Sequence, residues 1–405
     1  MKLRRDDVPM YLAGAAAVCT VVSIAAFEIL MGLAAVSLIV MRRPWRAPPI
    51  LLPLALFFTG TAVSLAAHGD WKLGFPQIKK FFLYLMLFLI VSAFREVREL
   101  RWVAWGWALA ASLSAAWALN QFYNKYQDAL EAHQDFYRVY VVSRITGFMS
   151  HWMTFSGHMM MALMVVGAVV FFAVWNRWNV LLIGAAAVIG AALLLAETRS
   201  MWLGAAAGAV YLIWFWKRWV LLALPVLAGI LILTNPFELG DRIKSSFHPS
   251  DLDSNAHRAM CRAIGWEMIK AHPLLGVGPE QVGPQHLDYL PSGTKLPLPT
   301  GYYGHLHNVY FQYAAERGVP TLLALMWLLA RMLYDFVRAL SRNRRKQEMG
   351  ERGWVLHAAI AVMIAALVGG FYEYNLNDSE ILAMFLAVMG CGYVAVLQGD
   401  KECRA

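Results

Sequence analysis

Charge is scarce in this sequence. Only 15% of its 405 residues are Asp, Glu, Lys or Arg, against 60% hydrophobic, and the mean hydropathy is +0.51. A soluble core of this length cannot hide so much apolar surface, whereas a bilayer solvates it directly. Cysteine is scarce too. The four present are scattered, with Cys19 and Cys391 inside apolar runs, Cys261 in a polar stretch and Cys403 in the tail. Their spacing matches neither a disulfide framework nor a zinc site. The glycine-rich run PLLGVGPEQVG at 273–283 lacks the Gly-Lys-Ser/Thr ending of a P-loop and reads as a supporting turn. No cleavage site follows the basic start MKLRRDD, and no internal repeat or low-complexity tract stands out. The net charge of +9 does not gather on one face. Its basic residues fall in short clusters between apolar runs, which speaks for orientation signals and against a nucleic-acid partner.

What is abundant is apolar length. A helix needs about 20 residues to cross the hydrocarbon core. On that measure the sequence predicts an all-α polytopic membrane protein with about twelve spans. They fall near 9–26, 28–41, 49–67, 78–94, 102–122, 152–174, 178–196, 201–216, 218–234, 308–340, 354–373 and 379–397. The apolar stretch 181–216, broken only by ETRS, would be about 54 Å long as one helix, so it must be two helices with a tight turn. Basic clusters at the N-terminus, 42–46, 95–101, 176–177, 217–218 and 341–352 fall in alternate loops. The positive-inside rule makes those loops and both termini cytoplasmic. Segments 123–150 and 235–306 then lie on the far side. The domain expectation is an N-terminal bundle over 1–234, a partly helical cap over 235–306, and C-terminal helices with a tail over 307–405. The 16 Trp and 16 Tyr suit belts at the two membrane–water boundaries, in contact with lipid headgroups.

Candidate chemistry gathers at the far side. His305 and His307 lie where the chain re-enters the membrane, and six of eleven histidines fall in 235–307. A neutral imidazole can take a proton from a hydroxyl. Equally, a histidine at a helix start can cap backbone groups or meet headgroups. Arg199 sits on the outer turn of 181–216, and Arg258 and Arg262 lie one helical turn apart in AHRAMCRAIGWEMI. Guanidinium groups bind phosphate bidentately at any working pH, and several at one membrane surface suggest a lipid-linked phosphate or diphosphate. Headgroup anchoring is the plainer role for any one of them. Lys79 and Lys80 either snorkel or hold an anion, and Arg144 is a further far-side cation. Asp251 and Asp253 could hold a divalent ion, although polar turn chemistry explains them as well. His305 and His307 find no carboxylate or thiol at metal-ligand spacing. Glu316 and Arg317 precede a Gly-Val-Pro break and read as a pair anchoring the chain.

HNVYFQYAAERGVPT, TRSMWLG and the Arg258-led R-x14-PLLGVGP together resemble the bacterial O-antigen ligases of the O-antigen ligase/polymerase superfamily. The resemblance implies a GT-C-like glycosyltransferase fold with a periplasmic cap, in the inner membrane of a Gram-negative bacterium. It implies transfer of O-antigen from undecaprenyl diphosphate to a sugar hydroxyl of the lipid A–core, inverting, with no metal and no cofactor. Residue by residue, His307 matches the motif histidine, the candidate base, while Arg199 and Arg258 match the arginines that would hold the diphosphate. Arg262, Lys80, Arg144, His305 and Tyr302 complete the substrate-binding set expected here. Glu280 and Arg262 depart from the family pattern, in which glycine and an aromatic residue are common. An O-antigen polymerase or a protein O-oligosaccharyltransferase of the same superfamily is the nearest rival. A transporter would show charges near mid-membrane and broken helices in repeated halves.

Overall fold

The computed structural model describes residues 5–68, 70–234, 255–344 and 350–402. Its described residues form helices and connecting turns, with no strand among them. In chain order the helices are α1 Val8–Cys19, α2 Ile24–Val40, α3 Leu51–His68, α4 Trp71–Lys79, α5 Leu85–Ala93, α6 Arg101–Glu131, α7 Phe136–Tyr140, α8 Trp152–Phe172, α9 Asn179–Leu195, α10 Arg199–Lys217 and α11 Ala223–Thr234. They continue as α12 Asn255–Ala271, α13 Val282–Gln285, α14 Val309–Arg317, α15 Val319–Arg344, α16 Gly350–Gly369 and α17 Ser379–Glu402.

Seven of the described helical segments are long and apolar enough to cross a membrane: 51–68, 71–93, 97–131, 152–172, 319–342, 351–369 and 379–399. Three shorter apolar helices, 8–19, 24–40 and 179–195, accompany them. Among the described residues, the runs expected at 9–26, 28–41, 178–196, 201–216 and 218–234 do not give a helix of that length and hydropathy. The run expected at 308–340 breaks at Gly318, which leaves α14 outside the membrane-length helix. The run 218–234 divides into a 3-10 turn at Arg218–Leu222 and the twelve residues of α11. The run 201–216 does form a helix, α10, but it opens on arginine and closes on WFWK. The expected tight turn in 181–216 is present at 196–198, between α9 and α10.

Burial ranks the helices. The apolar windows of α17, α16 and α8 are 83, 78 and 72% buried, whereas that of α3 is 33% buried, so the first three make the centre. Small residues let them close up. Gly204 and Gly208 of α10 leave no room for a side chain against the Ala365 and Ala361 carbonyls of α16. In lipid, such close backbone approach and dispersion replace the hydrophobic drive between helices. Apolar side chains on the outer faces, such as Ile29, Leu109 and Val180, remain exposed as lipid would require.

A clasp locks the segment before α14 onto the bundle. The Val277 N–H donates to the Ala315 carbonyl at 2.7 Å, Gly278 N–H to Glu316 at 2.9 Å, and Val319 N–H to Pro273 at 2.8 Å. Ser64 of α3 reaches the seam as well, its hydroxyl 2.6 Å from the Leu275 carbonyl. The glycine-rich run is thus a turn held against α14. Gly276 and Gly318 have φ of +69° and +81°, and an added Cβ on either would collide with backbone across the seam. Glu316 and Arg317 pair beneath it, 4.0 Å apart and almost wholly buried. Gln312 and the Glu280 N–H donate to Glu316 Oε1 at 2.8 and 2.9 Å, and Arg317 donates to Gln77 at 2.7 Å. Burial pushes the Glu316 carboxyl up to about 7, even though Arg317 pulls it back.

Candidate functional site

Four helices begin at one cavity of about 570 Å³. Ile24 and Glu28 of α2, Met153 and Thr154 of α8, Met201 of α10 and Ser379–Ile381 of α17 all line it. Side chains fix three of these starts. Ser23 accepts from the Ala26 N–H, His151 from Met153, and Asp378 from Glu380 and Ile381. Thr198, which precedes α10, makes no such cap. Exposed N–H groups and aligned peptide dipoles make a helix start attractive to anions. The far wall is the polar interval 373–378 between α16 and α17. Lys80 projects from a 3-10 turn that breaks the apolar run at Lys80–Tyr84, and its amine donates to the Asn377 carbonyl at 2.8 Å.

Glu373 is the hub of this site. Its side chain is 2% exposed, one oxygen is paired with the Arg258 guanidinium, and the other lies 3.4 Å from Nδ1 of His307. Burial raises the carboxyl's proton affinity, but Arg258 first, and then the hydrogen bond and charge of His307, outweigh it and hold it below the usual carboxylate range. The His307 ring lies between His305, with centroids 4.1 Å apart, and His257, at 5.2 Å. Burial, and then the neighbouring His307, bring both flanking imidazoles down to about 4. Both are neutral near pH 7, and that leaves the Arg258 charge facing Glu373. His307 itself has φ of +49°, an uncommon left-handed conformation for a residue with a side chain. Asn308 immediately caps α14, its side chain accepting from Phe311 at 2.9 Å.

The candidate residues divide clearly. Arg258, His305 and His307 meet around Glu373, and His305 and Lys80 line the cavity itself. Tyr302 stands over His305 with ring centroids 5.3 Å apart, and its backbone carbonyl lies 3.3 Å from Nε2 of His307. Arg199 is the first residue of α10, two positions before the cavity-lining Met201. Arg144 lies 5.3 Å over the Trp152 ring, in the segment just before Ser150 and His151 on the cavity wall. Arg262 is exposed one turn beyond Arg258 and neither lines the cavity nor contacts Glu373. Lys79 turns away to lie 5.5 Å over Phe75. Asp251 and Asp253, with His248, lie outside the described residues. Among those described, no three His, Cys, Asp or Glu side chains are grouped to hold a metal ion.

Sequence reasoning missed Glu373, Asp378 and the rest of the wall. Their signal was FYEYNLNDSE at 371–380, a polar interval between two strongly apolar runs. Such an interval reads as an ordinary loop until its partners, 66 and 115 positions away, are brought to it.

Helices of membrane-spanning length and a charged pocket where several of them begin define a multi-pass helical membrane protein. Within that class, residues 184–326 match the family described as O-antigen ligase. The match runs from α9 into α15 and takes in Arg199, Arg258 and His307, so the resemblance carried by the motifs holds. No curated protein matches the chain.

Proposed function

We propose that this protein is an O-antigen ligase of the GT-C type, in the inner membrane of a Gram-negative bacterium, with its termini cytoplasmic and its site periplasmic. It transfers O-antigen polysaccharide from undecaprenyl diphosphate to a sugar hydroxyl of lipid A–core, by a single inverting displacement in which no metal takes part. The observation that carries this reading is the meeting of Arg258 and His307 on the buried Glu373, beside a cavity into which four helix starts point.

The donor's diphosphate takes the cationic side. Lys80 lines it, the uncapped start of α10 with Arg199 adjoins it, Arg258 is paired with the lining Glu373, and Arg144 lies over Trp152 beside the lining His151 and Met153. These groups stabilise the charge that develops as the sugar–phosphate bond breaks. Glu28, Asp378 and Glu380, which also line the cavity, repel phosphate and accept from hydroxyls, which orients the sugars towards them. The acceptor oxygen attacks the anomeric carbon, its proton passes to Nε2 of His307, and undecaprenyl diphosphate leaves with the bonding electron pair. His305 and Tyr302 close the site over the base.

The test is lipopolysaccharide banding in a ligase-null strain. Wild type restores the ladder. His307→Asn does not, although asparagine accepts the left-handed backbone at that position and so keeps the fold. Arg199→Ala and Arg258→Ala fail as well. A ladder restored by His307→Asn rejects the base, and rescue only of a polymerase-null strain assigns the protein to the polymerases instead.

A further inference from the structure

Both nitrogens of the His307 ring meet acceptors. Nδ1 faces the Glu373 carboxylate at 3.4 Å, and Nε2 faces the Tyr302 carbonyl at 3.3 Å. Both partners only accept, and the ionised carboxylate attracts a proton more strongly than the neutral carbonyl, so a neutral ring carries its single proton on Nδ1. The carboxylate itself has little freedom, being 2% exposed with its other oxygen committed to Arg258. The other groups facing this ring are His305, His257 and, beyond His305, Tyr374. Neither imidazole supplies an anion, so Glu373 is the one negative charge in contact with the ring among the described residues.

We propose that Glu373 is the positioning residue of the transfer. It keeps the proton on Nδ1 of His307, leaves Nε2 as the nitrogen that takes the acceptor's proton, and aligns Arg258 beside it. The proposal rests on the reading of His307 as the base. Two acceptors do not bond to each other, so a ring in this tautomer holds the Tyr302 carbonyl only weakly at Nε2. An incoming hydroxyl, which donates, replaces that carbonyl. Its proton then moves to Nε2 as its oxygen bonds to carbon. The imidazolium so formed is paired with Glu373, which stays ionised throughout. The role is that of the carboxylate behind a catalytic histidine elsewhere, where it fixes the tautomer without taking the proton.

Glu373→Gln tests this with the full-length protein in detergent, carrier-linked donor and lipid A–core acceptor. An amide can donate to Nδ1 and so favour the wrong tautomer. The expected loss is about 10²–10⁴-fold in kcat with little change in KM. The acid limb of the rate–pH profile moves to lower pH, because a neighbouring negative charge has gone. Glu373→Asp, which keeps the charge at shorter reach, recovers part of the rate. A purely structural role would reduce folded yield and leave the acid limb in place. Folded Glu373→Gln with kcat within threefold of wild type and an unmoved limb overturns the proposal. Nitrogen-15 histidine spectra, with the His307 signals assigned from His307→Asn, give a readout that needs no turnover. Wild type shows a protonated Nδ1 and a free Nε2, and the reverse overturns the proposal even if Glu373→Gln does not fold. Undiminished kcat in His307→Asn beside a protonated Nδ1 in wild type is a different failure: it removes the base and leaves the ring contact intact.

Discussion

Replacing Gly318 by alanine tests whether the clasp is what holds the base in place. Gly318 has φ of +81° and ψ of 160°, a region open in practice only to glycine. Forcing a residue with a side chain to stay there costs about 1–3 kcal/mol. Staying is not possible without movement, because the new Cβ would fall on the Leu274 carbonyl. If the seam opens, the three backbone hydrogen bonds at Val277, Gly278 and Val319 are weakened, each worth about 1 kcal/mol net. The expected destabilisation is therefore about 1–6 kcal/mol, from strain alone to strain with all three bonds lost. Gly184→Ala in α9 is the control, since its Cβ meets nothing within 4 Å and helical alanine gains about 1 kcal/mol over glycine. Thermal unfolding in detergent, followed by tryptophan fluorescence, reads both. Gly318→Ala should melt well below wild type and Gly184→Ala at or above it. Ladder formation in cells carrying Gly318→Ala should fall with rising growth temperature. A Gly318→Ala protein as stable as the Gly184→Ala control would refute the clasp.

Two further outcomes follow from the same region. Because the folded Glu316 carboxyl binds its proton more tightly than the unfolded one does, its contribution to stability is full below about pH 4.5 and declines as pH rises to about 7, by up to ~3 kcal/mol. Glu316→Gln should flatten that part of the stability–pH curve between pH 5 and 8, and an unchanged curve would assign the titration to another group. Lys80→Met removes a cation from the cavity wall and a donor from the Asn377 carbonyl while keeping the side chain's bulk. Its donor KM should rise by roughly 5–100-fold, the equivalent of about 1–3 kcal/mol, and a donor titration giving an unchanged KM would place the diphosphate elsewhere.

Much of the helical outline was legible because bilayer physics writes it into composition. The runs near 49–67, 152–174 and 379–397 reappear as α3, α8 and α17 within a few residues. Local backbone chemistry changed details within the outline. Gly318 separates α14 from the membrane-length segment 319–342, and a 3-10 turn lies inside the membrane-length segment 71–93 that answers the run expected at 78–94. His307 was legible as a residue at the start of a helix, but that helix is the short α14, and its cap, Asn308, emerged only in the structure. Arg258 could be recognised as a cation on an amphipathic helix, but not which of its neighbours would accompany it. Arg262, one turn away and chemically identical, ends in the open.

The sequence by itself determined that this chain must be helical, must meet lipid, and must carry its permanent cations and imidazoles between apolar runs. Those properties follow from the cost of leaving backbone groups unpaired in hydrocarbon and from the near-fixed charge of arginine. Only the tertiary structure decided that Glu373 would join Arg258 to His307. A carboxylate in a ten-residue polar interval has no periodicity to announce it. It acquires its role only when packing withdraws it from water, because a buried charge persists only where opposite charge and hydrogen-bond donors are brought to meet it.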